Sequence, residues 1–196
     1  MKQLVLASNN AGKLREFGQL LAPFDFQLSA QADHGVSEAE EPHATFVENA
    51  LVKARHAARH TGLPALADDS GLCVAALGGA PGVYSARYAG EPKSDHRNNE
   101  HLLTQLAAHS DRRAHYYCVL VLLRHGDDPE PLIATGAWHG EILMSARGSG
   151  GFGYDPYFLV PEFACSAAEL ASERKNALSH RGQAMMQLVE QLRRQR

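Results

Sequence analysis

The apolar run Leu4 to Ala7 is too short for anything but a single strand. It closes on Ser8-Asn9-Asn10-Ala11-Gly12-Lys13 and gives way to a helical rhythm through Phe17, Leu20 and Leu21 that stops near Pro23. Strand, polar loop and helix in that order are the repeating unit of an α/β fold. Thr45-Phe46-Val47-Glu48 fits a capping box with Thr45 as N-cap, and the helix it opens runs to about His60, where Gly62 stops it. Leu63 to Ala67 is the next short strand and closes on Asp68-Asp69-Ser70-Gly71. Gly78-Gly79-Ala80-Pro81-Gly82 is a turn by composition, and Asn98 to Ala108 is helical. His115 to Leu123 and Leu132 to Trp138 are strands joined through Gly126 to Pro131, which predicts a hairpin. A glycine-rich loop, Gly148 to Tyr154, leads through Asp155-Pro156 to a strand at Tyr157 to Val160. One last helix spans Lys175 to Arg194, with Leu178, Met185, Val189 and Leu192 on one face. Helices alternate with strands first and a hairpin follows, so the expected architecture is α/β with a mixed sheet. At 196 residues the expectation is a single domain.

The longest apolar run, Cys118 to Leu123, is far short of the ~18 residues of a membrane span. The apolar stretch at the N-terminus is also too short for a signal peptide, so a cytoplasmic chain is expected. Lys plus Arg number 19 against 22 Asp plus Glu, a formal charge of −3, and a nucleic-acid partner is not expected from that balance. Cys73, Cys118 and Cys165 are odd in number, far apart and without a C-x-x-C pair, which reads as reduced thiols.

Six places carry chemistry. The loop Ser8 to Lys13 offers small residues, backbone N–H groups and a lysine at a helix N-terminus, which favours phosphate; the alternative is an ordinary capped turn with a solvated lysine. Asp68 and Asp69 stand together at the end of an apolar strand. Like charges this close repel unless a cation or proton intervenes, and hard oxygen ligands without histidine or cysteine point to Mg²⁺; the alternative is a helix cap or polar turn. Phe46, Ala50, Lys53 and Ala57 are spaced by four, three and four, so Lys53 falls within an apolar stripe, where it either snorkels out or meets a buried anion. Glu38, Glu40 and Glu41 form a second acidic group, of the kind that is ordinarily a solvated face. Gly148 to Asp155 can bring backbone close to a ligand, with Phe152 and Tyr154 able to stack on a base. Ser172-Glu173-Arg174-Lys175 and Ser179-His180-Arg181-Gly182 add cations at the start of the last helix, or else a solvated basic face. A magnesium-bound nucleoside polyphosphate would use all of these.

The strings S-N-N-A-G-K at Ser8 to Lys13, E-E at Glu40 and Glu41, T-F-V-E-N-A at Thr45 to Ala50 and K-A-R at Lys53 to Arg55 carry a resemblance. So do A-D-D-S-G-L at Ala67 to Leu72, G-G-A-P-G-V-Y-S-A-R at Gly78 to Arg87, G-F-G-Y-D-P at Gly151 to Pro156 and S-H-R-G at Ser179 to Gly182. From Leu4 to about Leu188 the chain resembles the inosine/xanthosine triphosphate pyrophosphatases, which hydrolyse non-standard purine nucleoside triphosphates. Ser8-Asn9 stands where many members have Thr-Gly. The resemblance implies a two-lobed α/β protein with a long mixed sheet, flanking helices and an active-site cleft between the lobes. It also implies a homodimer, a requirement for Mg²⁺, and conversion of a nucleoside triphosphate to the monophosphate and pyrophosphate. By position, Ser8, Asn9, Asn10, Ala11, Gly12 and Lys13 would hold the triphosphate. Asp69 would be base and metal ligand, with Glu40 and Glu41 helping to place Mg²⁺, and Lys13, Lys53 and Asp68 would support phosphates and metal. Ser70, Phe152, Gly153, Tyr154, Asp155, Lys175, His180 and Arg181 would bind the nucleotide. Backbone N–H groups from Ser179 to Arg181, with the Arg181 side chain, are expected to read the 6-oxo edge that separates hypoxanthine from adenine. A pyrophosphatase for other modified nucleotides and a non-catalytic nucleotide sensor are the competing readings.

Overall fold

The computed structural model describes residues 2–194. In chain order its elements are β1 (Lys2–Leu6), α1 (Ala11–Leu21), β2 (Phe26–Ala30), α2 (Phe46–Thr61), β3 (Ala65–Val74) and α3 (Asp95–Leu106). There follow β4 (Arg113–Leu123), β5 (Leu132–Ile142), β6 (Phe158–Val160), β7 (Cys165–Ser166), α4 (Ser172–Leu178) and α5 (His180–Arg194). Among the described residues the strands form one mixed sheet in the order β2-β1-β3-β4-β5-β6-β7. The chain divides into two compact units. The first takes the chain up to Asp69, Val119–Thr135 and the residues from Ala184 on; the second takes Ser70–Cys118 and Gly136–Gln183.

In the first unit β1 lies between two parallel neighbours, Lys2 to Leu6 against Phe26 to Ala30 and Val5-Leu6 against Ala65-Leu66. A parallel strand is covered on both faces, so Leu4, Val5 and Leu6 are all fully buried, and this is why they read as an unbroken apolar run. α1 returns the chain from β1 to β2 and buries Phe17 and Leu21; the side chains of Ala11 and Leu20 lie outside the described residues. α2 packs on β1 and turns inward a face of small side chains, Ala50, Ala54, Ala57 and Ala58, with Asn49. Its ends are as the sequence predicts. Thr45 is the N-cap, its Oγ1 accepting the Glu48 N–H at 3.3 Å and donating to Glu48 Oε2, and Gly62 closes the helix in the left-handed region.

The second unit is built on Leu72, Val74, Leu102, Leu106, Tyr116, Trp138 and Phe158. The Phe158 ring lies 4.7 Å from Tyr116 and 5.3 Å from Trp138, centroid to centroid. β6 pairs antiparallel with β5 and with β7. α3 starts three residues earlier than the sequence predicts. Ser94 is its N-cap, with Oγ accepting the Arg97 N–H at 3.3 Å, and the polar run Asp95-His96-Arg97 is its first turn.

Other expectations change. β2 is a strand that no apolar pattern announced, and β5 runs to Ile142 rather than Trp138. β3 does not close at Asp68 but continues through Asp69, Ser70 and Gly71 to Val74. The single C-terminal helix is two, because Ser179 is extended (φ −63°, ψ 158°) between α4 and α5. The buried face of α5 is Ala184, Met185 and Leu188, a slight rotation from the predicted one. No helix among the described residues is long and apolar enough to cross a membrane.

Candidate active site

In the first unit the site is built around two lysines brought to one strand. Asp68 and Asp69 stand in the middle of β3, not at its end. Neighbouring strand residues alternate in direction, and the two carboxylates accordingly meet different partners. Lys13, in the first turn of α1, places Nζ 2.9 Å from Asp68 Oδ1 and 2.8 Å from Oδ2; the Asp68 side chain is 1% exposed. Lys53, from α2, places Nζ 3.2 Å from Asp69 Oδ1 and 2.5 Å from Glu41 Oε1. Of the two sequence readings of Lys53, the buried anion is therefore the one realised, and Lys13 is not simply solvated. The expected phosphate loop is also a capped turn. Asn10 Oδ1 accepts the N–H groups of Gly12 (2.8 Å) and Lys13 (3.2 Å), and Ser8 Oγ accepts that of Asn10 (3.2 Å). Asn9 and Asn10 are exposed, and Ser70 is half-buried on β3.

The acidic pair Glu40 and Glu41 separates in space. Glu41 reaches Lys53, while Glu40 is exposed. Asn49, to which the sequence assigned no role, holds this segment. Its Oδ1 accepts the His43 N–H (3.0 Å) and its Nδ2 donates to the His43 carbonyl (3.2 Å). A polar residue on the alanine face of α2 is the signal that could have found it. Burial pushes the Asp69 carboxyl above its ordinary range and Glu41 adds to that, while the Lys53 ammonium and Asn49 pull it back. For Lys53 burial acts downward, but the charge of Asp69 and the hydrogen bond to Glu41 outweigh it and hold the ammonium above its ordinary value. Among the described residues no group of three or more His, Cys, Asp or Glu converges as a protein-only metal cage. Asp69 and Glu41 are instead two hard oxygen donors sharing one cation, which fits Mg²⁺. That ion characteristically takes one or two carboxylates and completes its shell with water and substrate phosphate.

The second unit gathers the residues expected at the base. Asp155, 3% exposed, accepts from Lys175 Nζ (2.5 Å), the Phe152 N–H (2.8 Å) and Tyr116 Oη (3.3 Å). Gly151 has φ +73°, and a Cβ there would lie 2.2 Å from Asp155 Oδ2, so only glycine lets the loop fold over this carboxylate. Phe152 is 68% exposed, with Lys175 Nζ 4.9 Å from its ring centroid. Tyr154 corrects the sequence reading. It is buried, its hydroxyl donates to the Ser85 carbonyl (2.7 Å), and it belongs to the core rather than to a stacking surface. Burial raises its phenol well above the ordinary value.

Ser179 makes the break between α4 and α5. Its N–H donates to the Lys175 carbonyl (2.8 Å), and its Oγ accepts the Gly182 N–H (3.1 Å). That commits one of the amides expected to read a 6-oxo edge. His180 stacks on Tyr116, with centroids 4.9 Å apart and planes at 11°. Arg181 is half-buried beside it.

The chain is also similar to known proteins over nearly its whole length. The family model described as the Ham1 family matches residues 4–191. The dITP/XTP pyrophosphatase of Ralstonia nicotianae is 64% identical over 196 residues, 98% of each chain. That of Nitrosomonas europaea is 62% identical over 192 residues, 98% of this chain and 95% of the relative. Among solved structures, a HAM1 protein from Coxiella burnetii superposes with a TM-score of 0.96 at 50% identity, covering 99% of this chain and 100% of that one. The Staphylococcus aureus Ham1 protein does so at 0.93 and 41% identity, with full coverage of both. The match over nearly every residue and the superposition on solved Ham1 structures lead to one assignment: this chain belongs to the Ham1 family.

Proposed function

We propose that this chain hydrolyses non-standard purine nucleoside triphosphates, dITP, ITP and XTP, to the monophosphate and pyrophosphate in a Mg²⁺-dependent reaction. The observation that carries the reading is the convergence of Asp69 and Glu41 on Lys53, with Lys13 held by Asp68, the next residue on β3. Curated relatives above 60% identity bear the name dITP/XTP pyrophosphatase, which supports the substrate class.

Asp69 and Glu41 would hold the ion; when bound, it neutralises phosphate oxygens and makes pyrophosphate a better leaving group. Asp69 orients a water for attack on the α-phosphorus and takes its proton on the carboxylate as the new P–O bond forms. The bond from the α-phosphorus to the bridging oxygen breaks, and pyrophosphate leaves with the electron pair. Its burial matters here, because a base whose pKa is raised toward the working pH accepts a proton more effectively. Lys53 keeps that carboxyl from being driven too far up. Lys13, one-quarter exposed, presents its ammonium to the triphosphate, and the exposed residues Asn9, Asn10 and Gly12 lie next to it in sequence. In the second unit Phe152 stacks on the base, while Lys175, His180 and Arg181 bind the nucleotide and Asp155 holds Lys175 in place. The working form in this reading is a cytoplasmic homodimer with neither nucleic acid nor membrane as partner.

The test is pyrophosphate release from dITP, ITP, XTP, dGTP and dATP, with Mg²⁺ and with chelator. Release from the first three that stops with chelator is expected. Equal efficiency on dATP and dITP overturns the selectivity, and no release from any of them overturns the activity.

A further inference from the structure

The base-binding loop carries a feature that neither the motif nor the family match assigns a role. Both backbone polar groups of Gly153 are held by the first turns of α3. The Gly153 N–H donates to Asp95 Oδ2 at 2.8 Å, and the Gly153 carbonyl accepts from Asn99 Nδ2 at 2.9 Å. Asn99 Nδ2 also donates to the Asp95 carbonyl at 2.8 Å, so its amide spans the turn and the loop together. This orientation is forced. A flipped Asn99 amide would set its oxygen against two carbonyls, and the Oδ1 it now presents is buried without a hydrogen-bond partner.

We propose that Asp95 and Asn99 are positioning residues that set the grip on the base by fixing Gly153 and, through it, Phe152. The proposal rests on the reading of Phe152 as the stacking surface. Phe152 is mostly exposed, with Lys175 Nζ over its ring, so its orientation is inherited from the backbone more than from packing. That backbone is pinned at three consecutive points: Phe152 N–H on Asp155, and Gly153 N–H and C=O on α3. Gly153 sits at φ +64°, a conformation open to glycine, which otherwise leaves the chain its widest freedom. The Asp95 carboxylate lies in the first turn of α3, where the helix end favours negative charge, and its bond to the Gly153 amide is charge-assisted.

A grip on the base acts alike in the ground and transition states, so its loss appears in KM and not in kcat. Asp95→Ala is expected to raise KM for dITP about tenfold with kcat within about twofold, the size of one charge-assisted hydrogen bond. Asp95→Asn, which keeps an acceptor for Gly153, is expected to recover most of the loss. Asn99→Ala gives a second, independent variant, and thermal unfolding checks that each is folded. In a Phe152→Ala background Asp95→Ala adds little, because both act through the same ring. Amide exchange read without substrate is expected to quicken at Gly153 about tenfold in Asp95→Ala. An active unmodified chain with unmoved KM and unmoved Gly153 exchange in Asp95→Ala overturns this proposal alone. An unmodified chain inactive on every nucleotide overturns the functional reading, and this proposal with it.

Discussion

Replacing Gly182 by alanine tests whether the junction of α4 and α5 is as tight as the structure shows. A Cβ at Gly182 stands 1.9 Å from the Asn176 carbonyl oxygen and 3.1 Å from its carbon, with the Ala177 oxygen at 3.4 Å. Contacts under 3.0 Å are essentially never tolerated, so the two helices must part by about 1 Å. The obstacle is backbone in α4 and cannot rotate aside as a side chain would. Overpacking of this kind costs up to about 3 kcal/mol, and the better helix propensity of alanine offsets about 1 kcal/mol, leaving a net loss near ~2 kcal/mol. For a chain of this size that lowers Tm by roughly 4–8 °C. Parting the helices also moves His180 off Tyr116 and shifts Arg181, so KM for dITP is expected to rise in the same variant. Thermal unfolding followed through Trp138 and a KM measurement read both effects. An alanine variant with an unmoved Tm and an unmoved KM would refute the reasoning, since the clash leaves no room for tolerance.

Asp69→Asn is expected to cut turnover by at least ~10²-fold with Tm essentially unchanged, and near-normal turnover in a folded variant removes Asp69 from the role of base. Because burial raises the Asp69 pKa, the acid limb of kcat/KM is expected above the ordinary carboxylate range of ~3.9, the rate falling as pH drops and the base protonates. Lys53→Met removes a charge that pulls this pKa down, so the limb moves to higher pH; a limb that stays in place separates Lys53 from the base. Asn49→Ala frees the His43 backbone and with it the segment bearing Glu41, so half-maximal activity should need several times more Mg²⁺ while urea unfolding shows a loss of about 1–3 kcal/mol. An unchanged Mg²⁺ requirement in that variant assigns Asn49 a purely structural part.

Much of the site was legible because its chemistry is local. A loop of small polar residues before a helix, a lysine inside an apolar stripe, and glycines next to aromatics announce themselves through spacing alone. The parts that were not legible depend on residues distant in the chain. Asp68 and Asp69 read as the end of a strand because two charges interrupt its apolar pattern. Lys13, 55 residues away, and Lys53, 16 residues away, let the strand carry them through to Val74. Tyr154 has the spacing of a free aromatic, but its hydroxyl donates to the Ser85 carbonyl, 69 residues earlier in the chain. The apolar rhythms of α4 and α5 run on nearly in step, so periodicity alone did not show the break at Ser179.

By itself, the order of residues determined where α2 begins and ends, that the sheet is mixed, and which loops are candidates for phosphate and base chemistry. Those properties follow from capping, periodicity and backbone freedom, all of which act within a few residues. Only the tertiary structure decided that Glu41 and not Glu40 meets Lys53, that Asn49 holds the His43 backbone, and that α3 holds the glycine-rich loop through Gly153. Each of those outcomes depends on which polar groups become buried together. A buried polar group is stable only beside a partner, and that partner is set by the folding of the whole chain.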